Sequence, residues 1–285
     1  ALFANGLNVV FNYGLILGNL GLPALGVQGA ALGTVASQAI GATLLILAIR
    51  RGAVPGVGLP LRPRSVDGAL AKELFRVGWP AALDMVILNA GFLSIVGMLG
   101  RLDGTAVAAH GVGLRIQALA FVPGLSVAQA TGAMVGNALG AHDPGEARQV
   151  VKAAVGLCTA IMTAVAIVLL AGAAPIVAIF DIPLDTPLAN LSIEWMRILG
   201  AGMPIVGVHI ALIGMLRGAG ATGTSLRINI VGTALQVPLS WLLGFPLGLG
   251  PFGVWVAFPL SFVIKMLLGI AAYRKGDWVH LGETA

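Results

Sequence analysis

Charge is what this 285-residue sequence has least of: Asp, Glu, Lys and Arg together make 9% of it, against 58% hydrophobic residues, and its mean hydropathy is +0.98. Soluble domains carry about a quarter charged residues, so a water-soluble globular protein is excluded. Cysteine is nearly absent. The single Cys158 rules out an internal disulfide and, lying inside an apolar run, reads as a small packing residue. Aromatics are 6% and are not interleaved with the basic residues, so the net charge of +5 does not describe a nucleic-acid surface. No metal-ligand spacing such as H-E-x-x-H occurs; His110 and His142 sit toward helix or loop ends, and neither a metal site nor a cofactor is expected. An initiator Met is missing too. Ala1 already lies inside an apolar stretch, which predicts a missing N-terminal portion.

What is there is a series of apolar runs near the ~20 residues that cross a ~30 Å hydrocarbon core. They are continuously apolar instead of alternating with period two, so they predict helices and not barrel strands. The fold class is therefore an all-α integral membrane protein, a helical bundle of about eight transmembrane segments, over 1–18, 26–49, 74–100, 106–140, 150–180, 191–216, 226–247 and 252–273. Residues 50–73, with Arg50, Arg51, Arg62, Arg64 and Lys72 and with Pro55, Pro60 and Pro63, form a polar connector between 1–49 and a lobe at 74–273, and 274–285 form a tail. The run 106–140 exceeds a bilayer and is expected to bend at Pro123-Gly124. Alternating the loops gathers Arg50, Arg51, Arg62, Arg64, Lys72, Arg76, Arg148, Lys152, Arg217, Arg227, Arg274 and Lys275 on one side. Only Arg101 lies on the other, with Asp103, Asp181 and Asp185, so the connector and C-terminus are placed in the cytoplasm.

Polar side chains within apolar spans carry the functional reading, because an ionisable group at bilayer depth costs ~3 kcal/mol or more unless it borders a cavity or a partner. Asp84 and Arg115 each fall ~15 Å along antiparallel helices, near the midplane. They are expected to face the lobe interior within pairing distance, either as the place where ion binding couples to conformational change or as an ion pair locking the hairpin. Asn89 and Gln117 line the same cavity or act as interhelical glue, and Asn8 and Asn12, on one helix face, are read in the same two ways. Glu194 and Arg197, at i,i+3, are expected to pair at the membrane interface. His209 is either a proton acceptor or a packing histidine. Lys265 is low enough to snorkel toward the cytoplasmic headgroups.

Several blocks, in order, are similar to the multidrug and toxic compound extrusion family: Gly78-Trp79-Pro80-Ala81-Ala82-Leu83-Asp84, the stretch from Ala108-Ala109-His110-Gly111 to Phe121-Val122-Pro123-Gly124, Val135-Gly136-Asn137-Ala138-Leu139-Gly140-Ala141, Leu216-Arg217-Gly218-Ala219-Gly220-Ala221-Thr222, and Asn8 to Thr34. The resemblance implies a twelve-helix antiporter of two six-helix lobes related by a pseudo-two-fold axis. It would export cationic or amphipathic drugs from the bacterial inner membrane against an inward flow of protons or sodium. Laid on that pattern, the chain corresponds to the end of helix five and helices six to twelve, so its first four to five helices would be absent. Its partners would be a small cationic or amphipathic molecule and membrane lipid, without nucleic acid, and the full-length protein would be a monomer. Two alternatives stay open: a lipid-linked saccharide flippase of the same superfamily, for which a denser cationic cavity is expected, and a truncated remnant that does not transport. An intramembrane enzyme would need a convergent catalytic set that the sequence does not offer.

Overall fold

The computed structural model describes residues 2–52 and 68–279, which fall into two compact units, Ala1–Gly68 and Ala69–Ala285. The first unit is a hairpin of α1 (Leu2–Leu17) and α2 (Val27–Arg50). Its turn takes left-handed backbone at Gly18 (φ 74°) and Gly21 (φ 75°), a conformation that glycine adopts without steric cost. The two helices approach where α2 lacks side chains: a Cβ on Gly29 would strike the Leu15 carbonyl, and one on Gly33 would lie 2.7 Å from Asn12 Oδ1.

The second unit holds α3 (Gly68–Leu102), α4 (Gly104–Gly140), α5 (Pro144–Ala171), the short α6 (Ala173–Ala178), α7 (Pro187–Gly218), α8 (Thr222–Gly244) and α9 (Gly250–Lys275). Helix α7 is its axis, packed by α4, α5 and α9 and buried along its length from Ala189 to Leu216. The largest fully buried side chains include Trp195, Met203 and Leu199 of α7, Met162 of α5, and Trp255 and Phe258 of α9. The polar turns start helices. Asp103 accepts from the Thr105 amide (2.8 Å), Asp143 from the Glu146 amide (2.8 Å), and Thr186 from the Ala189 amide (3.2 Å), each satisfying a donor that helix geometry orphans. Pro144 and Pro187 occupy the first positions of α5 and α7, where a missing N–H costs nothing.

Seven of these helices, α2, α3, α4, α5, α7, α8 and α9, are long and apolar enough to cross a membrane; α1 is shorter. The expected connector 50–73 is shorter than the sequence suggested, because α3 already begins at Gly68, and residues 53–67 of it lie outside the described residues. The expected span 150–180 is split at Gly172. Pro175 cannot donate to the Ala171 carbonyl, and its ring would crowd that oxygen, so α5 stops there. Helix α4 runs unbroken through Pro123. The start of the expected tail is packed: Trp278 is buried, its ring stacks on Tyr273 (centroids 6.0 Å apart, 19° between planes), and its Nε1 donates to the Tyr273 carbonyl (3.2 Å).

Candidate functional site

A cavity of about 620 Å³ lies inside the second unit, walled by α3, α4, α7, α8 and α9. Phe92, Phe121, Phe258 and Phe262 give it an apolar body, and Gln129, His209, Arg217, Asn229, Gln236 and Lys265 give it polar points. These points follow helical spacing. Asn229, Gly232 and Gln236 share a face of α8, and Phe258, Phe262 and Lys265 share a face of α9.

The end of α7 beside the cavity is held by backbone contact with α4. A Cβ on Gly214 would strike the Ala128 carbonyl, and one on Gly218 would strike the Gly132 carbonyl. This is the close approach that small residues permit in lipid-embedded helix pairs. It places Arg217 against α3, where its Nη2 donates to Asp84 Oδ2 at 2.9 Å. Ser225 Oγ lies 3.5 Å from the same oxygen. Asp84 is 2% exposed, and its Oδ1 is buried without a partner among the described residues.

Asp84 therefore faces inward and is paired, but with Arg217 and not with Arg115. The correction has a geometric cause. Gly218, the neighbour of Arg217, abuts Gly132 and Gly136 of α4, ~26 Å or more along that helix from Arg115 at 1.5 Å per residue. Arg115 is exposed on α4 and makes no ion pair or hydrogen bond among the described residues. Asn89 is exposed as well, and its Nδ2 donates back to the Met85 carbonyl (2.8 Å) one turn earlier. Gln117 is buried but does not line the cavity, and its Oε1 has no partner among the described residues.

Asn8 joins α1 to α2, its Nδ2 donating to Thr34 Oγ1 (3.3 Å) and Ser37 Oγ (3.2 Å), while Asn12 Nδ2 donates to Asn8 Oδ1 (3.0 Å) within α1. This is the glue reading of the two. Glu194 and Arg197 do not pair; Arg197 is exposed while Glu194 is half-buried, and a partly exposed pair at that spacing gains too little to hold two long side chains together. His209 lines the cavity, edge-on to Phe262 (5.3 Å, 85°). His110, expected toward a helix end, is buried against Trp195 (5.2 Å).

Lys265 does not snorkel. It is 2% exposed, with Nζ 4.6 Å above the Phe262 ring. Its stem lies on Gly232, where a Cβ would strike Cε and Cγ. Lys265, Arg217, Asn229 and Gln236 are the site residues that the sequence reading did not assemble. The available signal was the shared helical face on α8 and on α9, since depth alone does not say toward which side a lysine points. Among the described residues no group of His, Cys, Asp and Glu is arranged to hold a metal ion.

The MatE family profile matches residues 80–242. The multidrug resistance protein NorM of Burkholderia vietnamiensis is 31% identical over 255 residues, covering 88% of this chain and 54% of that protein. The probable multidrug resistance protein NorM of Thermotoga maritima is 25% identical over 283 residues, covering 96% of this chain and 58% of that protein. A solved structure of a multidrug resistance MATE family transporter in an outward-facing conformation superposes with a TM-score of 0.89 at 22% identity, covering 98% of this chain and 61% of that one. The chain thus spans less than two thirds of the length of these relatives. An integral membrane protein with this helix order and this profile belongs to the MatE family, the multidrug and toxic compound extrusion transporters, which are not enzymes.

Proposed function

We propose that residues 74–273 form the C-terminal lobe, and residues 1–49 the end of the N-terminal lobe, of a secondary-active exporter of drugs and other xenobiotics. The exporter works as a monomer in the inner membrane, with its connector and C-terminus cytoplasmic, and is driven by inward flow of protons or sodium. The observation that carries the reading is the cavity of about 620 Å³ in a chain of this family, a volume within the ~300–1,000 Å³ of sites for drug-sized ligands. The relatives named multidrug resistance proteins support the same class of substrate. Amphipathic compounds fit the wall better than purely cationic ones, because the cationic side chains on it are Arg217 and Lys265 and no carboxylate is among its lining residues.

Coupling is assigned to Asp84. One of its oxygens is committed to Arg217 and Ser225, and the other has no partner. A proton or sodium ion arriving at Oδ1 weakens the hold on Arg217 and so on the end of α7, which borders the cavity. A ligand shifts such an equilibrium only by binding one state better than the other.

The test is efflux from vesicles of a cationic and of an anionic amphipathic dye under separate proton and sodium gradients. It compares this chain with a version carrying the first lobe. The two-lobe protein is expected to expel dye under one of the gradients, and its Asp84→Asn variant to lose the gradient dependence while still binding dye. Retention of both dyes under both gradients sinks the export reading. The flippase alternative gains one specific observation, a cavity wall with two cations where the sequence suggested only Arg115; movement of a lipid-linked saccharide in the same vesicles, with dyes immobile, would favour it.

A further inference from the structure

We propose that the cavity binds the head of an amphipathic organic anion, with the Lys265 ammonium as its counter-charge. Asp84 and Lys265 are the only buried Asp, Glu, Lys or Arg side chains among the described residues. They are not partners. Asp84 is engaged by Arg217 and acts on Lys265 only as a charge at longer range, whereas Lys265 makes no ion pair or side-chain hydrogen bond among the described residues and has Nζ 4.6 Å from the centroid of the Phe262 ring. Counting Arg217 against Asp84, the interior carries one uncompensated positive charge. An unpaired ammonium in apolar surroundings is strongly favoured by an incoming anion and repels a second cation.

The surroundings are built for this head. Gly232 opens the floor on which the Lys265 stem lies, and it sits between Asn229 and Gln236 on the same face of α8. Gln236 Oε1 shares the Ser261 hydroxyl proton (3.1 Å) with the Phe258 carbonyl (2.7 Å), which leaves the Gln236 amide N–H groups for a ligand. The remaining wall, with its four phenylalanines, suits an apolar body.

An apolar groove adjoins the cavity. This groove between α3 and α8, lined by apolar residues such as Ile87, Ile230 and Val237, shares Gly91 and Thr233 with the cavity wall. Gly91 and Thr233 pack against each other there, a Cβ on Gly91 lying 2.9 Å from Thr233 Cγ2, and this contact parts the groove from the cavity.

The inference narrows the substrate class of the exporter proposed above and is tested without transport. The full chain in phosphatidylcholine nanodiscs is titrated with dansyl-undecanoic acid, with its methyl ester and with a dansyl alkyl-trimethylammonium of matched length. The acid is expected to bind about tenfold tighter than the ester, and the ammonium weakest. Lys265→Met should bring the acid to the level of the ester, with tryptophan emission and thermal unfolding matching the parent protein to report that the lobe is folded. Lys265→Arg should retain the preference. Should Lys265→Met not fold, Gly232→Ala, which displaces the lysine stem and keeps the charge, is expected to weaken acid binding selectively. Equal or tighter binding of the ammonium, or undiminished acid binding in the variant that removes the charge, overturns the proposal while leaving dye export to its own assay. Phosphatidylglycerol added to the discs identifies the source: displacement of the acid probe points to a bilayer lipid headgroup, and its retention to a free amphipathic acid.

Discussion

Removing Arg217 and removing Asp84 should not be equivalent, because the two ends of their ion pair differ in burial, 38% and 2% exposed. Arg217→Met strands a carboxylate in the interior, an error that costs about 2–3 kcal/mol when one partner of a pair is half accessible. Asp84→Asn leaves a guanidinium that can turn to water, at about 1 kcal/mol or less. Thermal unfolding of the detergent-solubilised protein, followed by tryptophan fluorescence, should show the larger loss in Arg217→Met and a partial recovery in the double variant. Equal losses would place the pair in a wet, unstrained setting. Cys158 offers a second check at this scale: its Sγ is fully buried, 3.9 Å from the Gly124 carbonyl, so maleimide should label the protein only after denaturation. Asp84 was legible in the sequence as an acid in an apolar span. Its partner was not, since Arg217 sits more than a hundred residues away at the end of another helix and reads there as one more loop cation.

Helices in this protein meet through glycine, and single methyl groups should separate them. Gly214→Ala puts a Cβ against the Ala128 carbonyl, and 2.9 Å from its Cα, where only backbone movement can relieve the contact; about 3 kcal/mol of stability should be lost. Gly111→Ala, on the facing helix α4 and with nothing within 4 Å of the added carbon, should be neutral or stabilising by up to about 1 kcal/mol through helix propensity. Melting temperatures of the two variants against the parent protein check the contrast. Asp143→Ala, which removes the cap on the Glu146 amide, should cost about 1 kcal/mol. At the scale of elements the sequence was informative, because continuous apolar runs and polar turns mark helices by composition alone. It misjudged the ends. Gly68 and the split at Gly172 depend on which backbone groups find partners, and hydropathy does not report that.

In the second unit α7 is enclosed by α4, α5 and α9, while α3 has its buried residues confined to Pro80, Asp84, Gly91, Ile95 and Leu99. Native-state amide exchange should therefore be slowest in the middle of α7 and faster along the outward face of α3, since opening an enclosed helix disrupts packing on every side. The reverse order would show that α3 is clamped more firmly than its few inward residues allow. What the sequence by itself determined was the membrane class and the helix order, because the energy of placing residues in hydrocarbon depends on composition and run length, both of which are local, and the kinship, through its ordered residue blocks. Tertiary structure alone decided which cation meets Asp84 and that Lys265 turns inward. Those outcomes depend on which faces of distant helices are brought together by contacts such as Gly214 on Ala128 and Lys265 on Gly232, and no count along one segment contains the rotation of its neighbour.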